Sequence, residues 1–129
     1  ILFAEEGWPD GIWYYEDMGF KDRPFMSPAM YADLIQPAHA RTVGFAHANG
    51  RPVVMHSCGF VEPLLPGMVA AGIDALQVIE VKAGMDPVRL KQRFSRLALC
   101  GGMDARVLIS NDRDAVRREL AAFSSFVRV

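Results

Sequence analysis

Apolar and polar residues follow one another along the chain in blocks that predict four strands, each followed by a helix. The strands are expected at 12–15, 51–55, 75–79 and 97–100, and the helices at 28–49, 62–71, 88–94 and from about residue 111 or 112 onward. The second strand, Arg51 to Met55, is a nearly continuous apolar run. Such a run is typical of a parallel strand that is covered on both faces.

Capping signals mark the ends of the predicted helices. Ser27-Pro28 and Asp86-Pro87 each place a capping side chain before a proline in the first helical position. Gly50 is a natural stop for the long helix, and Pro37 is expected to kink it. The last helix carries one apolar stripe at helical spacing, made of Val116, Leu120, Phe123 and Val127.

This alternation predicts an α/β fold of parallel βαβ units with right-handed crossovers. An open four-stranded sheet is one solution. A TIM (β/α)8 barrel needs roughly 250 residues, and the chain has 129, about half of one. Ile1 to Gly7 read like the end of a helix that began earlier. We therefore expect residues 1–129 to be one partial-barrel domain of about four βα units, a C-terminal-side fragment of a longer protein.

Composition narrows the function classes. The net charge is −1 with both signs interspersed, so nothing predicts a nucleic-acid or anionic-membrane partner, which needs a basic stripe. No apolar run reaches the roughly 18 residues of a membrane span. Two cysteines do not make a disulfide framework, and a reducing, cytoplasmic setting is expected. The free edges of a half barrel invite pairing with another copy, a homo-oligomer, or aggregation.

Polar or reactive residues follow all four predicted strands, at the edge where parallel α/β folds bind ligands. These strand ends are Glu16-Asp17, His56-Ser57-Cys58-Gly59, Glu80-Val81-Lys82 and Cys100-Gly101-Gly102-Met103-Asp104. The alternative interpretation is that charged residues only mark where each strand leaves the core.

His56 and Cys58 are the sharpest pair among these residues. Residues i and i+2 of an extended chain point to the same side, and an imidazole and a thiolate so placed can bind one Zn²⁺. Gly59 would allow a sharp turn that brings the backbone close to a ligand. Cys100 is a candidate third ligand, but it lies roughly 10 Å away at ordinary strand spacing, and a small core residue is the favoured role. A buried, inert Cys58 beside a hydrogen-bonded histidine is the alternative for the pair.

The remaining titratable groups have simpler predicted roles. His39 and His47 fall within the long predicted helix, where solvated or capping roles are expected. A basic group on the third predicted helix is expected to be an exposed face that complements the helix dipole. Its members are Arg89, Lys91, Arg93 and Arg96.

Four short motifs together resemble the uroporphyrinogen decarboxylase superfamily, in order and spacing, across nearly the whole chain. They are Ser27-Pro28-Ala29-Met30-Tyr31, His56-Ser57-Cys58-Gly59, Ala83-Gly84-Met85-Asp86 and Gly101-Gly102-Met103-Asp104. The resemblance implies a (β/α)8 barrel and one of two chemistries. The decarboxylases remove acetate carboxyl groups from uroporphyrinogen III in porphyrin and haem biosynthesis without a metal or cofactor. The methyltransferases pass a methyl group between a corrinoid and a thiol-type acceptor, and use zinc held by a His-x-Cys motif and a later cysteine.

His56-Ser57-Cys58 is similar to the methyltransferase motif residue for residue, so the resemblance favours methyl transfer with zinc at His56 and Cys58. The later cysteine of that pattern would lie beyond Val129. The resemblance further implies a small-molecule, tetrapyrrole or corrinoid substrate, and a corrinoid protein as a partner. Asp104 is expected to contact or orient the substrate, as is Asp17, with Glu16 on the same rim. Metal-free decarboxylation and a non-catalytic binding module are the alternatives, and the fragment alone is expected to be inactive.

Overall fold

A computed structural model of the chain describes residues 5–124, with the side chains of residues 123 and 124 left out. Its strands form one parallel sheet in the order β1-β2-β3-β4. They are β1 Ile12–Tyr15, β2 Val53–His56, β3 Ala75–Gln77 and β4 Ala98–Cys100. Each strand lies next to its neighbour in the chain and runs in the same direction. The predicted α/β class is confirmed, and this arrangement is that of part of a (β/α)8 barrel.

Helices follow each of the four strands. They are α1 Pro28–Met30, α2 Gln36–Ala48, α3 Leu65–Ala70, α4 Pro87–Arg93, α5 Ala105–Ile109 and α6 Arg113–Ser124. A π-helical turn, Tyr31–Ile35, joins α1 to α2, and 3₁₀ turns form at Glu62–Leu64 and Val81–Ala83. Among the helices of residues 5–124, none is both long and apolar enough to cross a membrane.

The predicted helix 28–49 is therefore one helical segment interrupted by a π turn. Pro37 has no N–H, and its ring crowds the carbonyl four residues earlier. The backbone meets this constraint just before the proline by widening to the π pattern, in which Gln36 N–H bonds to Tyr31 O. Ser27 Oγ accepts from Met30 N–H at 3.1 Å at the predicted start, and Gly50 follows the helix with φ +68°.

The end of the chain departs further from the predicted pattern. The short helix α5 was not predicted, and it is capped by Asp104. Helix α6 begins at Arg113, where Asp112 Oδ1 accepts from the N–H groups of residues 114 and 115. Within the predicted stripe Val116 is half-buried and Leu120 is exposed. The side chain of Phe123, Val127 and the first four residues of the predicted N-terminal helix end lie outside the described residues.

The two faces of the sheet have different environments. Val53, Met55 and Leu76 are fully buried in the core between the sheet and the helices. On the opposite face Trp13 is 52% exposed and Tyr15 is 76% exposed. The prediction that β2 is covered on both faces is wrong for the described residues, because burial along β2 alternates between full and partial. Only the helix-facing side of β2 has a packed layer within residues 5–124.

The strand register places one residue from every strand in a single row at the open end of the sheet. Tyr15 pairs with His56, His56 with Gln77, and Gln77 with Cys100. Register partners in a parallel sheet project to the same face. The row therefore lies on the face opposite the helices, next to the loops that carry the predicted site residues.

Candidate metal centre at the strand ends

Asp17, His56 and Cys58 converge where β1 and β2 end. His56 Nε2 lies 3.4 Å from Cys58 Sγ and 3.4 Å from Asp17 Oδ1. Asp17 Oδ1 also accepts a hydrogen bond from the backbone N–H of Cys58 at 2.8 Å. One ligand atom from each of the three residues lies within 4.8 Å of the other two. The ligand atoms of His56 and Cys58 thus lie together, as predicted. The carboxylate of Asp17, which was predicted to contact substrate, lies beside them.

The His56 ring is held by neighbours on both adjacent strands. Tyr15 of β1 stacks on it with ring centroids 4.7 Å apart, and Gln77 Oε1 of β3 contacts its Nδ1. An amide oxygen can only accept a hydrogen bond, so Nδ1 carries the proton in this contact. The lone pair of the neutral ring is then on Nε2, the atom that faces Cys58 and Asp17. Such a partner on the far nitrogen is the usual support of a metal-binding histidine.

The surroundings of Cys58 favour its neutral thiol. Burial raises the pKa of Cys58, the nearby carboxylates of Asp17 and Glu80 raise it further, and the ammonium of Lys82 lowers it. A coordinated cation reverses this balance, because a thiol bound to a metal is deprotonated. Cys58 is therefore a neutral thiol unless a cation binds beside it.

A close approach of two glycines brings the β1 and β2 loops together. Gly59 has φ +79°, and a Cβ on it would lie 2.4 Å from the carbonyl carbon of Gly19. A Cβ on Gly19 would in turn lie 2.5 Å from the carbonyl oxygen of Cys58. Gly59 makes the sharp turn that the sequence predicts, and its N–H donates to Glu80 Oε2 at 2.6 Å. The close backbone approach that it permits is to the β1 loop, which carries Asp17.

Asp104 lies on the same side of the sheet as this cluster but has a capping role of its own. Its side chain accepts from Arg106 N–H at 2.9 Å and pairs with the Arg106 guanidinium at 2.5 Å, which lowers the pKa of Asp104. A cavity of about 240 Å³ lies at the ends of β2, β3 and β4 and is lined by Cys58, Glu80, Lys82 and Asp104, among others. Asp104 thus borders the space beside Cys58 without joining the cluster of Asp17, His56 and Cys58.

Glu16 does not lie at this site, because strand alternation turns it to the helix side of the sheet. Its Oε2 lies 2.6 Å from His39 Nε2, and His39 Nδ1 lies 2.9 Å from the hydroxyl of Tyr31. His39 is only 3% exposed, so its predicted solvated or capping role is wrong. Burial, and secondarily the charge of Glu16, raises the pKa of Tyr31 to about 12. His47, by contrast, is partly exposed and contacts Asp74 Oδ2 at 2.8 Å.

The basic residues of α4 form an exposed face, as predicted, and two of them have a further role. Arg89 and Arg93 both bind the carboxylate of Glu62, which is only 6% exposed. Both arginine side chains are exposed, as the sequence predicts for this face, and they also neutralise a buried charge that the sequence did not reveal. Lys91 Nζ binds the carbonyl oxygens of residues 95 and 97, in the turn that follows α4.

Cys100 is exposed in this structure, so the favoured role as a small core residue is wrong. It ends β4, and its register partner Gln77 separates it from His56 of β2. This places it two strands away from the cluster, as the sequence indicates. The cluster of Asp17, His56 and Cys58 does not include it.

Comparison with known proteins gives one family match, which covers most of the chain. Residues 21–126 match the sequence model of a family described as uroporphyrinogen decarboxylase (URO-D). The matched range includes His56, Cys58 and Asp104, whereas Asp17 lies before it. No curated protein and no solved structure matches the chain with significance.

Proposed function

Because the chain belongs to the uroporphyrinogen decarboxylase family, we propose that it acts as a zinc-dependent methyltransferase that moves a methyl group between a corrinoid and a thiol-type acceptor. The observation that supports this proposal is the pairing of His56 Nε2 with Cys58 Sγ at 3.4 Å. The same contact is what an imidazole and a cysteine need in order to share one zinc ion. The family resemblance of the His-x-Cys motif supports the same reaction.

The donor atoms suit zinc. Imidazole nitrogen and thiolate sulfur are its common protein ligands, and a soft thiolate disfavours magnesium or calcium. Gln77 on Nδ1 of His56 supplies the outer hydrogen bond that such sites use to fix the ring. His56 and Cys58 would therefore hold the ion.

Bound there, zinc would lower the pKa of an acceptor thiol, so that the thiol is in its nucleophilic thiolate form at neutral pH. The chain's own residues provide binding and orientation. Tyr15 and Gln77 fix the plane of the His56 ring. Lys82 and Asp104 border the cavity beside Cys58, where an acceptor would be positioned by one cationic and one anionic side chain.

Metal-free decarboxylation of uroporphyrinogen, in porphyrin and haem biosynthesis, is the second candidate, and the family's own description favours it. The metal content of the protein would distinguish the two candidates, because the family resemblance implies that the decarboxylases use no metal. A barrel that binds a ligand without turnover is the remaining class.

Metal analysis of the purified full-length protein tests the proposal. We expect about one zinc per chain, lost in His56→Ala and in Cys58→Ala. His47→Ala is the matched control, because it removes a histidine whose partner is Asp74, outside the cluster, and it should keep the zinc. Full turnover of uroporphyrinogen by metal-free protein would replace the proposal with decarboxylation. A protein with neither zinc nor turnover would instead be a binding module.

A further inference from the structure

The helical segment that follows β1, residues 28–49, is apolar on both of its sides. Only Asp33 and Arg41 carry a formal charge in this segment. Its inner side is buried, as at Val43 and Ala46. Its outer side also bears large apolar side chains, and these are exposed: Met30 by 51%, Leu34 by 69% and Phe45 by 58%. A helix that is apolar all round is normally covered on both sides, so the outer side is a candidate interaction surface.

The exposed residues of this segment form two adjoining ridges. Residues four apart are neighbours on a helix surface, and the first ridge has this spacing throughout, with Asp33, Pro37, Arg41 and Phe45. The second ridge has the same spacing, with Met30, Leu34 and Ala38. All seven residues are exposed. We call the two ridges together the outer face.

The two charges of the outer face lie symmetrically about Pro37. Asp33 precedes Pro37 by four residues, and Arg41 follows it by four. No ion pair within residues 5–124 includes either of them. If two antiparallel copies of the segment cross at Pro37, Asp33 of each copy lies beside Arg41 of the other, because a two-fold axis exchanges the two positions. A parallel pair would instead bring like charges together, which is unfavourable.

We infer that the outer face joins two copies of this protein in an antiparallel, two-fold symmetric contact. A second copy is the partner because the face complements itself, with apolar ridge against apolar ridge and each acid beside a base. Gly44 lies beside this contact, and a Cβ on it would meet nothing within 4 Å, so the second helix has room to approach. The outer face points away from the sheet, and the contact therefore leaves the strand ends open. The inference does not depend on the proposed zinc chemistry.

Reversing the two charges tests the contact, because single and double reversals have opposite expected results. Asp33→Arg and Arg41→Asp each create two like-charge pairs across the two-fold axis, and we expect each to weaken dimerisation by at least about 10-fold. The two single variants change the net charge in opposite directions, so net charge alone cannot weaken the dimer in both. The double variant Asp33→Arg/Arg41→Asp restores two opposite-charge pairs and should recover the dimer.

Sedimentation equilibrium of the full-length protein gives the dissociation constant of the dimer for each variant. The matched control is the same double reversal at Asp114 and Arg117, an exposed pair on α6 that is 3.3 Å apart. This control should leave the dissociation constant unchanged. Gly44→Arg is an independent test, since the open space at Gly44 accepts a side chain in one copy but the arginine would obstruct the second helix. We expect a folded monomer, with folding checked by circular dichroism.

Three results would overturn the inference. A full-length protein that is monomeric at every concentration would show that another part of the chain covers the outer face. A dimer that is unchanged in both single reversals and in Gly44→Arg would show that the copies associate through another surface. Single reversals that weaken the dimer without recovery in the double variant would exclude the antiparallel pairing. If a reversal variant does not fold, Gly44→Arg decides the question, because a folded Gly44→Arg dimer overturns the contact and a folded monomer supports it.

Discussion

Replacing Gly59 with alanine is expected both to destabilise the protein and to weaken zinc binding at the proposed site. The added Cβ would lie 2.4 Å from the carbonyl carbon of Gly19 and 2.5 Å from its oxygen. Both atoms belong to backbone, so no side-chain rotation can relieve the contact, and the β1 and β2 loops must separate. That separation would lengthen the 2.8 Å bond between Cys58 N–H and Asp17.

The expected size of the effect has two parts. Gly59 has φ +79°, and an L-residue in the left-handed region costs about 1–2 kcal/mol. Forcing an extra carbon into a packed place costs about 1–3 kcal/mol more. The free energy of unfolding should therefore fall by about 2–5 kcal/mol in Gly59→Ala.

Gly50→Ala is the control that separates the two parts. Gly50 also has a positive φ, +68°, but a Cβ there meets nothing within 4 Å. It should lose only the conformational part, about 1–2 kcal/mol. Urea unfolding of both variants of the full-length protein, with zinc affinity measured alongside, makes the comparison. If the two variants lose equal stability and both retain unaltered zinc affinity, the close approach of the loops does not hold the site.

Three further changes test other parts of the structure. Ser57→Ala leaves the buried N–H of Met18 without its 2.9 Å acceptor. The free energy of unfolding should fall by about 1–3 kcal/mol, and an unchanged midpoint of urea unfolding would contradict this. Gln77→Leu removes the hydrogen-bond partner of His56 Nδ1. Zinc binding at the proposed site should weaken by about 10–100-fold while the protein stays folded. An unchanged zinc affinity would show that Gln77 does not orient the His56 ring. Burial raises the pKa of Tyr31 to about 12, so the folded state keeps a proton that the unfolded chain loses near its ordinary value of about 10. The free energy of unfolding should thus fall as the pH rises from 10 to 12. The fall should be smaller in Tyr31→Phe, where the phenol is absent. If the free energy of unfolding depends on pH equally in the two proteins, the raised pKa does not belong to Tyr31.

Local rules predicted the elements of the fold well where the chain carries explicit signals. Ser27 and Asp86 begin their helices as capping residues, since a side chain that satisfies exposed N–H groups acts within one turn. The short helix α5 was missed because Asp104 was considered only as a substrate contact. Asp104 is followed by Ala105 and Arg106, a pattern also compatible with a cap, and the Arg106 N–H bond confirms that role.

The candidate site was predictable only in the part that depends on local sequence. His56 and Cys58 share a strand end, so their proximity follows from the two-residue repeat of an extended chain. The contact of Asp17 with both depends on the register of β1 against β2 and on the approach of Gly19 to Gly59. That contact joins residues about forty positions apart, and no local pattern encodes it.

The buried polar residues were the least predictable from sequence. His39 was assigned a solvated or capping role because the helix places it on no shared face with a pair of carboxylates, but its two ring nitrogens both have partners here. Glu62 was not identified as a buried charge, because its two arginines lie on a different helix, 27 and 31 residues later. Only tertiary packing brings such partners together, and a buried charge or imidazole is tolerated only when they are present.

The bond between Glu16 and His39 has a consequence for how members of this family could diverge. It anchors the end of β1 to helix α2, on the side of the sheet away from the metal cluster. The position of Asp17, one residue later, is therefore governed partly by residues of the outer helical layer. Substitutions in that layer would therefore shift Asp17 against His56 and Cys58 without changing any residue of the cluster, which gives evolution or a protein engineer a way to adjust the site from a distance.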